Sequence, residues 1–184
     1  MLTQITAQTL ATLAANYQSY SLLLLDPNAR HRTLVLAALL AQPPCPVYYH
    51  GLQVGVSTLD QFLSDWIRDL SEQSPAFGQR ATAARQLSSA DLETRARAFA
   101  GALNDVGSEN YLLFVHDYDR ADAIWDVHSF MEALLRCLPP QCHLLISSRT
   151  MPPLPWFSLI ARNQVAVLRE DGSINAGMSR IARS

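Results

Sequence analysis

The sequence contains no lysine, because all 14 of its basic residues are arginine in a chain of 184 residues. This absence excludes every site that needs a lysine amine, such as a Schiff base, a lysine general base or the lysine of a phosphate-binding loop. The chain is also poor in charge, with 16% charged residues and a formal net charge of −2. So little net charge predicts no general attraction to nucleic acid or to membrane surfaces.

Cysteine is scarce as well. Cys45, Cys137 and Cys142 are an odd number without the paired spacing of a metal site, so we expect buried, reduced thiols of a cytoplasmic protein. The longest apolar run, residues 34–41, is far shorter than the ~20 residues of a membrane span. The first residues lack the basic and apolar regions of an export signal. These features predict a cytoplasmic location and no membrane partner.

What the sequence does contain is an alternation of apolar strands and helices. Strand patterns occur at residues 21–25, 47–50, 111–115, 142–146 and 164–168. Helical patterns cover residues 4–17, 31–42 and 156–162, and further helices are predicted to begin at Ser57, Ser88 and Asp122. Residues 71–88 are predicted to be a polar connection that contains a short helix. This alternation predicts an α/β fold with a parallel sheet of about five strands and helices on both faces. We assign residues 1–168 to one domain and 169–184 to a linker or flexible tail.

Polar segments follow three of the predicted strands, at residues 26–33, 116–122 and 147–150. Right-handed crossovers place the carboxyl ends of parallel strands along one edge of the sheet. In open α/β sheets the ligand crevice lies at that edge. The sequence therefore predicts that these three segments converge on one site.

Four blocks of sequence carry a resemblance to a known family. Residues 26–33, Asp-Pro-Asn-Ala-Arg-His-Arg-Thr, lie in register over an Ala-Pro-Ala-Gly-x-Gly-Lys-Thr loop, and residues 46–52 and 60–67 match a second strand and the helix after it. Phe-Val-His-Asp-Tyr at 114–118 matches a Walker B strand, and 138–155 carry a Leu-Pro-Pro, strand, Ser-Arg, Pro-Pro-Leu-Pro order. Together they resemble the nucleotide-binding domain of the STAND class of signal-transduction ATPases, and within it the large LuxR-type and maltose-activator-like transcription regulators. The resemblance covers residues 20–168.

This resemblance implies a P-loop NTPase-like fold and places a nucleotide site on named residues. The loop contributes Asn28, Ala29, Arg30, His31, Arg32 and Thr33, and Arg149 stands where the family has its sensor residue. Asp117 is the remnant of the Walker B acids. Magnesium, where it binds, would lie between Thr33 and Asp117.

The departures from the family pattern predict a decayed site. Ala29 and His31 replace glycines whose backbone forms the anion nest of such a loop. Arg32 replaces the lysine, and its planar guanidinium is not equivalent to a compact ammonium. His116 replaces the first Walker B acid. We therefore expect no bound cofactor and no active ATP hydrolysis, with ATP or ADP and magnesium as the alternative.

The three basic residues Arg30, His31 and Arg32 precede a helix, where positive charge opposes the helix dipole. Such a cluster needs an anionic neighbour. One candidate is an internal ion pair with Asp117 or Asp26, and the other is a bound anion, either a nucleotide or an acidic partner surface.

Two roles are equally consistent with the position of Arg149 in the sequence. It either acts as the sensor residue or ties its loop to Asp117 or Asp119.

Two functions follow from these observations. The first is a non-catalytic module of a signalling or transcription regulator, acting as a switch or a protein-interaction scaffold. The second is an ATP-binding STAND switch with slow or unusual hydrolysis, so the sequence leaves enzyme activity undecided. In both, the partners are other domains or proteins of a signalling or transcription assembly, and no direct contact with nucleic acid is expected.

Overall fold

A computed structural model describes residues 2–29, 32–85, 91–169 and 173–175. Its strands are β1 Leu22–Leu25, β2 Val47–Gly51, β3 Tyr111–His116, β4 Cys142–Ser147, β5 Val165–Leu168 and β6 Ile174–Asn175. They form one sheet in the spatial order β2-β3-β4-β1-β5-β6. β1 to β5 run parallel, and β6 runs antiparallel to β5. The predicted α/β fold with five parallel strands is confirmed.

Seven α-helices are described in this part of the chain. They are α1 Leu2–Asn16, α2 Arg32–Ala41, α3 Leu59–Gln73, α4 Pro75–Arg85, α5 Leu92–Leu103, α6 Trp125–Cys137 and α7 Trp156–Ala161, and two short 3₁₀ turns lie at Tyr17–Ser19 and Tyr118–Ala121. α4 takes up most of the segment that the sequence analysis assigned to a polar connection with a short helix.

The alternating side chains of β1 show how the sheet is covered on both faces. Leu22 and Leu24 belong to the apolar core that α3 to α7 form on one face. Leu23 and Leu25 belong to a second core, formed with α1 and α2 on the other. All four leucines are buried, which explains why the strand reads as an unbroken run of leucine.

Helix α3 begins one residue later than predicted. Thr58, and not Ser57, is the N-cap, and its hydroxyl accepts a hydrogen bond from the backbone N–H of Gln61 at 3.2 Å. Gln61 Oε1 in turn accepts from the Ser57 N–H at 3.2 Å. Both Ser57 and Thr58 stand three residues before a polar side chain, so the sequence pattern was ambiguous. Asp60, the polar residue three positions after Ser57, pairs instead with Arg95 of α5 at 2.5 Å.

One further helix start was wrong, and another lies outside the described residues. Asp91 is the N-cap of α5, while Ser88, the predicted start, lies outside the described residues. Helix α6 begins at Trp125 and not at Asp122. Asp122 instead follows a 3₁₀ turn. The carboxylate of Asp122 accepts a hydrogen bond from the hydroxyl of Thr150 at 2.6 Å.

The segment assigned to a linker or tail contributes the unpredicted strand β6. The backbone N–H of Arg169 donates to the carbonyl of Ser173 at 2.9 Å and closes the turn between β5 and β6. The remainder of that segment, apart from residue 169 and 173–175, lies outside the described residues. None of the described helices is long and apolar enough to cross a membrane.

A buried histidine joins the outer strand β2 to helix α3. The imidazole of His50 is 1% exposed, and its Nδ1 lies 2.8 Å from Asp69 Oδ2. The ring stacks on Trp66 with centroids 5.6 Å apart. Its Nε2 has no hydrogen-bond partner among the described residues. Burial lowers the pKa of His50 below its ordinary value, although the hydrogen bond that His50 donates to Asp69 acts in the opposite direction.

This histidine makes stability depend on pH. The unfolded chain takes up a proton near pH 6.5, but the folded protein does so only at a lower pH. We therefore expect the free energy of unfolding to be constant above about pH 6.5 and to decrease as the pH falls towards the folded pKa of His50. Urea titrations across this range measure the dependence.

The matched variant is His50→Asn, which keeps a donor near Asp69 but does not titrate. It should flatten the pH dependence near pH 6, and a slope that persists there should come from His116, whose pKa burial also lowers. Asp91 and Asp119, whose pKa values are lowered as well, act only at more acidic pH, near the ~4 of an ordinary aspartate. An unchanged slope in His50→Asn would contradict this assignment.

Candidate functional site

The three polar segments meet at the carboxyl edge of the sheet, as the topology requires. β4 lies between β3 and β1. The segments that follow these three strands, beginning at His116, Ser148 and Asp26, are therefore neighbours. Helix α2 starts from the same edge, directly after the loop that follows β1.

Asp26 closes the loop after β1 on itself. Its carboxylate accepts a hydrogen bond from the backbone N–H of Asn28 at 2.9 Å. Its carbonyl accepts from the N–H of Ala29, also at 2.9 Å. A phosphate-binding loop turns such N–H groups towards the anion. Here both N–H groups already have an acceptor within the loop.

Arg32, at the start of α2, directs its guanidinium back across the loop. Nη1 donates to the carbonyl of Pro27 at 3.2 Å and also to the carbonyl of Ser148 at the end of β4. One side chain thus connects the loop after β1 with the neighbouring strand. For Arg32 the described partners are these two carbonyls, and not Asp117 or Asp26. The other two basic residues of the cluster, Arg30 and His31, lie outside the described residues.

Asp117 is held by its own turn. Its backbone is left-handed, with φ 55° and ψ 40°, a conformation that aspartate adopts more readily than most residues. Its Oδ2 lies 2.7 Å from Nη2 of Arg120, and its Oδ1 lies 3.3 Å from Nε2 of His116. Arg120 also donates from Nη1 to the carbonyl of Leu52, which follows β2. The carboxylate is therefore neutralised locally.

His116 stands where the family has its first Walker B acid. Burial lowers the pKa of His116, and Arg120 and Arg32 lower it further, while Asp117 opposes the change. The imidazole is therefore neutral at pH 7 and brings no negative charge to the site. Its Nδ1 is buried and has no partner among the described residues.

Arg149 is tied to Asp119, which resolves one of the alternatives left open by the sequence. Its backbone N–H and its Nε donate to the two carboxylate oxygens at 2.9 and 2.8 Å, and its Nη2 lies 2.7 Å from Oδ2. Asp119 is 7% exposed. Burial alone would raise the pKa of Asp119, but the hydrogen bonds from Arg149 outweigh it and lower the pKa. The segment after β4 is thus fastened to the turn after β3.

The described residues do not fit a magnesium ion. The ion prefers near-octahedral oxygen coordination, often with one or two carboxylates. Thr33 is exposed at the start of α2, but the Asp117 carboxylate is engaged with Arg120 and His116. Within the described ranges, no group of three or more His, Cys, Asp or Glu residues is placed to hold a metal.

The structure thus brings together, around one edge, the predicted residues Asn28, Ala29, Arg32, Thr33, Asp117 and Arg149. Arg30 and His31 lie outside the described residues. Sequence reasoning missed Arg120, although an opposite charge three residues after Asp117 was a usable signal. It also gave Asp26 only a role as an ion-pair partner, although an Asp-Pro-Asn sequence is typical of a turn closed by an aspartate side chain.

Comparison with known proteins reveals the fold alone. No protein-family model matches the chain, and no curated protein sequence matches it. Among solved structures, it is similar to a chain of Drosophila ORC bound to AT-rich DNA and Cdc6, with 16% identity and a TM-score of 0.57 over 92% of this chain and 56% of that chain. It is also similar to a chain of Drosophila ORC bound to DNA, with 15% identity and a TM-score of 0.56 over 91% of each chain.

A third similar structure is Drosophila ORC bound to GC-rich DNA and Cdc6, with 16% identity and a TM-score of 0.54 over 92% of this chain and 57% of that chain. This chain thus spans little more than half the length of two of the three ORC chains. The fold is P-loop NTPase-like.

The Arg32 contacts predict a measurable role in stability. Arg32→Met should lower the free energy of unfolding by roughly 1–3 kcal/mol, because hydrogen bonds from a charged donor are lost. Relief of the unfavourable charge at the start of α2 returns only ~0.3–1 kcal/mol, so the loss should dominate. Denaturant titration measures the difference.

The control is Thr33→Ala at the adjacent exposed position, which should change stability by no more than ~0.5 kcal/mol. Equal stabilities of Arg32→Met and the wild type would show that the bridge to Ser148 does not hold the loop.

Proposed function

We propose that this chain is a non-catalytic P-loop NTPase-like module of a signal-transduction or transcription regulator, acting as a switch or a protein-interaction scaffold. The observation that supports this proposal most directly is that the loop after β1 binds its own polar groups. Its N–H groups at Asn28 and Ala29 are bound by Asp26, and Arg32 bonds to carbonyls. A triphosphate in this loop would have to displace these contacts.

The residues that would bind magnesium and stabilise phosphate charge support the same proposal. Phosphoryl transfer depends on positioning the phosphates and on stabilising their charge with a lysine and with magnesium. The chain contains no lysine, and Asp117 is paired with Arg120 at 2.7 Å. With both contributions altered, we expect ATP turnover to be absent.

Exposed apolar side chains support a role in protein interaction. Val54, Trp125 and Phe157 are 85%, 73% and 93% exposed. Val54 follows β2, Trp125 opens α6 after the turn that follows β3, and Phe157 lies in α7 after β4. Large apolar side chains near one edge are typical of a protein-binding surface. Under this proposal the edge that bound nucleotide in an ancestor now binds other domains or proteins of a regulatory assembly.

The STAND and LuxR-type assignment belongs to this proposal. It is supported by the sequence blocks at 26–33, 114–118 and 138–155, which lie at the carboxyl edge or lead to it. DNA contact is not carried over from the ORC structures, because a net charge of −2 provides little attraction for phosphates.

A cytoplasmic location is also part of the proposal. The three cysteines are free, and burial raises the pKa of Cys142 to about 12. A thiol with so high a pKa is inert, as expected of a structural cysteine in a reducing compartment.

Nucleotide binding tests the proposed function directly. The melting temperature of the wild type should not change with millimolar ATP analogue or ADP, with or without magnesium, and no phosphate release should be detected. A ligand present at 100 times its Kd would stabilise the fold by ~2.7 kcal/mol, so binding would be seen clearly. The matched variant restores the loop by Ala29→Gly, His31→Gly and Arg32→Lys, and it should bind more tightly than the wild type.

The alternative function is an ATP-binding STAND switch, and the exposed Thr33 at the start of α2 is the observation in its favour. A magnesium-dependent rise in the melting temperature of the wild type, lost in Asp117→Asn, would establish this alternative and overturn the proposal.

A further inference from the structure

The outer edge of β2 carries backbone groups that no strand pairs with in the described part of the chain. β2 is the last strand on its side of the sheet. Its inner side bonds to β3, since Leu112 N–H donates to the Pro46 carbonyl and Leu52 N–H donates to the His116 carbonyl. In a parallel ladder, alternate residues bond to the neighbour. The N–H and C=O groups of Val47, Tyr49 and Gly51 therefore point away from the sheet.

One side chain occupies the centre of this free edge. Oε1 of Gln73 accepts a hydrogen bond from the Tyr49 N–H at 2.8 Å, and its Nε2 donates to the Tyr49 carbonyl at 2.6 Å. Nε2 also donates to the carbonyl of Asp69, one turn earlier in α3, at 2.7 Å. The carboxamide of Gln73 thus provides the same donor and acceptor that the peptide group of an added strand would provide.

The free edge is also complementary to itself. Tyr49 is central among the three outward-facing residues, so a two-fold axis beside it would place Tyr49 opposite Tyr49 of a second copy in an antiparallel pair. Val47 would then stand opposite Gly51 of the second copy. Residues opposed in this way exchange two hydrogen bonds per pair.

One further side chain contacts this edge, because Gln53 Nε2 donates to the Gly51 carbonyl at 3.2 Å, and the Val47 N–H of a second copy would replace that donor. A Cβ atom on Gly51 would lie 2.6 Å from the hydroxyl of Tyr49, so the tyrosine ring lies along its own strand above the glycine. Val47 and Tyr49 are half-buried and pack against the core on the α1 and α2 face. β2 carries no charged Asp, Glu or Arg residue that would repel a second copy.

We propose that Gln73 is a latch on the free edge of β2, and that its withdrawal opens this edge to antiparallel pairing with a second copy of the same chain. The latch is an exposed side chain at the last residue of α3, so its carboxamide can withdraw by side-chain rotation without movement of the helix. The edge lies beside β3 and is separate from the loop after β1, so the inference does not rest on the proposed function.

The test compares the 184-residue wild type with Gln73→Ala and with the control Glu72→Ala at the neighbouring exposed position. Analytical ultracentrifugation over a concentration series should show Gln73→Ala approaching twice the mass of the wild type at high concentration, whereas Glu72→Ala should behave as the wild type does. Gln73→Met, which keeps the length of the side chain but cannot bond to Tyr49, should behave as Gln73→Ala does and decides the test where the alanine variant does not fold.

Hydrogen exchange of the Tyr49 amide locates the association. In dilute Gln73→Ala this amide should exchange roughly two- to tenfold faster than in the wild type, because its acceptor is lost. At high concentration its protection should return as the second copy supplies a new acceptor. A variant that keeps the wild-type mass at every concentration, or that associates without renewed protection of Tyr49, overturns the proposal.

Discussion

The hydrogen bonds of the Arg32 guanidinium are the interaction on which the carboxyl edge depends. They join the loop after β1 to the end of β4, two segments that a parallel sheet places side by side but does not connect. In a working phosphate loop the bound anion performs this task, since it collects the backbone N–H groups and the cation around itself. Here the protein supplies both partners: Asp26 binds the N–H groups and Ser148 accepts from the cation. The loop is therefore held by contacts within the protein. These contacts occupy the N–H groups and the guanidinium that a phosphate ligand would need.

Local neutralisation of charge extends along the same edge. Asp117 pairs with Arg120, and Asp119 pairs with Arg149. Each pair joins segments that follow different strands or stabilises a single turn, and Arg120 also reaches the Leu52 carbonyl beyond β2. Such partly exposed pairs contribute little stability individually. Their effect on function is larger, because a carboxylate that is already paired is a poor ligand for a metal, and a guanidinium that is already paired is a poor ligand for phosphate.

Most of the fold could be predicted from sequence, because buried parallel strands leave a simple signal. The run of leucines in β1 and the apolar stripe of α3 each have one physical explanation. Helix starts were less certain, since Ser57 and Thr58 both satisfy the capping pattern and only the pairing of Asp60 with Arg95 distinguishes them. The candidate site was likewise predictable only in part. Topology predicted which loops meet, but which carboxylate, Asp117 or Asp119, pairs with Arg149 depends on three-dimensional positions that the sequence does not encode.

The absence of lysine connects these findings. A lysine at position 32 would present one compact ammonium, whereas arginine presents several donors in a planar fork and can bond to two carbonyls at once. Arg120 does the same with a carboxylate and a carbonyl, and Arg149 binds both oxygens of Asp119 with the help of its backbone N–H. The replacement that weakens phosphate chemistry is thus also the replacement that cross-links the loops. A loop locked in this way no longer needs nucleotide to be ordered, and its surroundings can change without loss of the fold. Under the proposed function, this locking would let the architecture persist as a platform for other proteins without bound nucleotide.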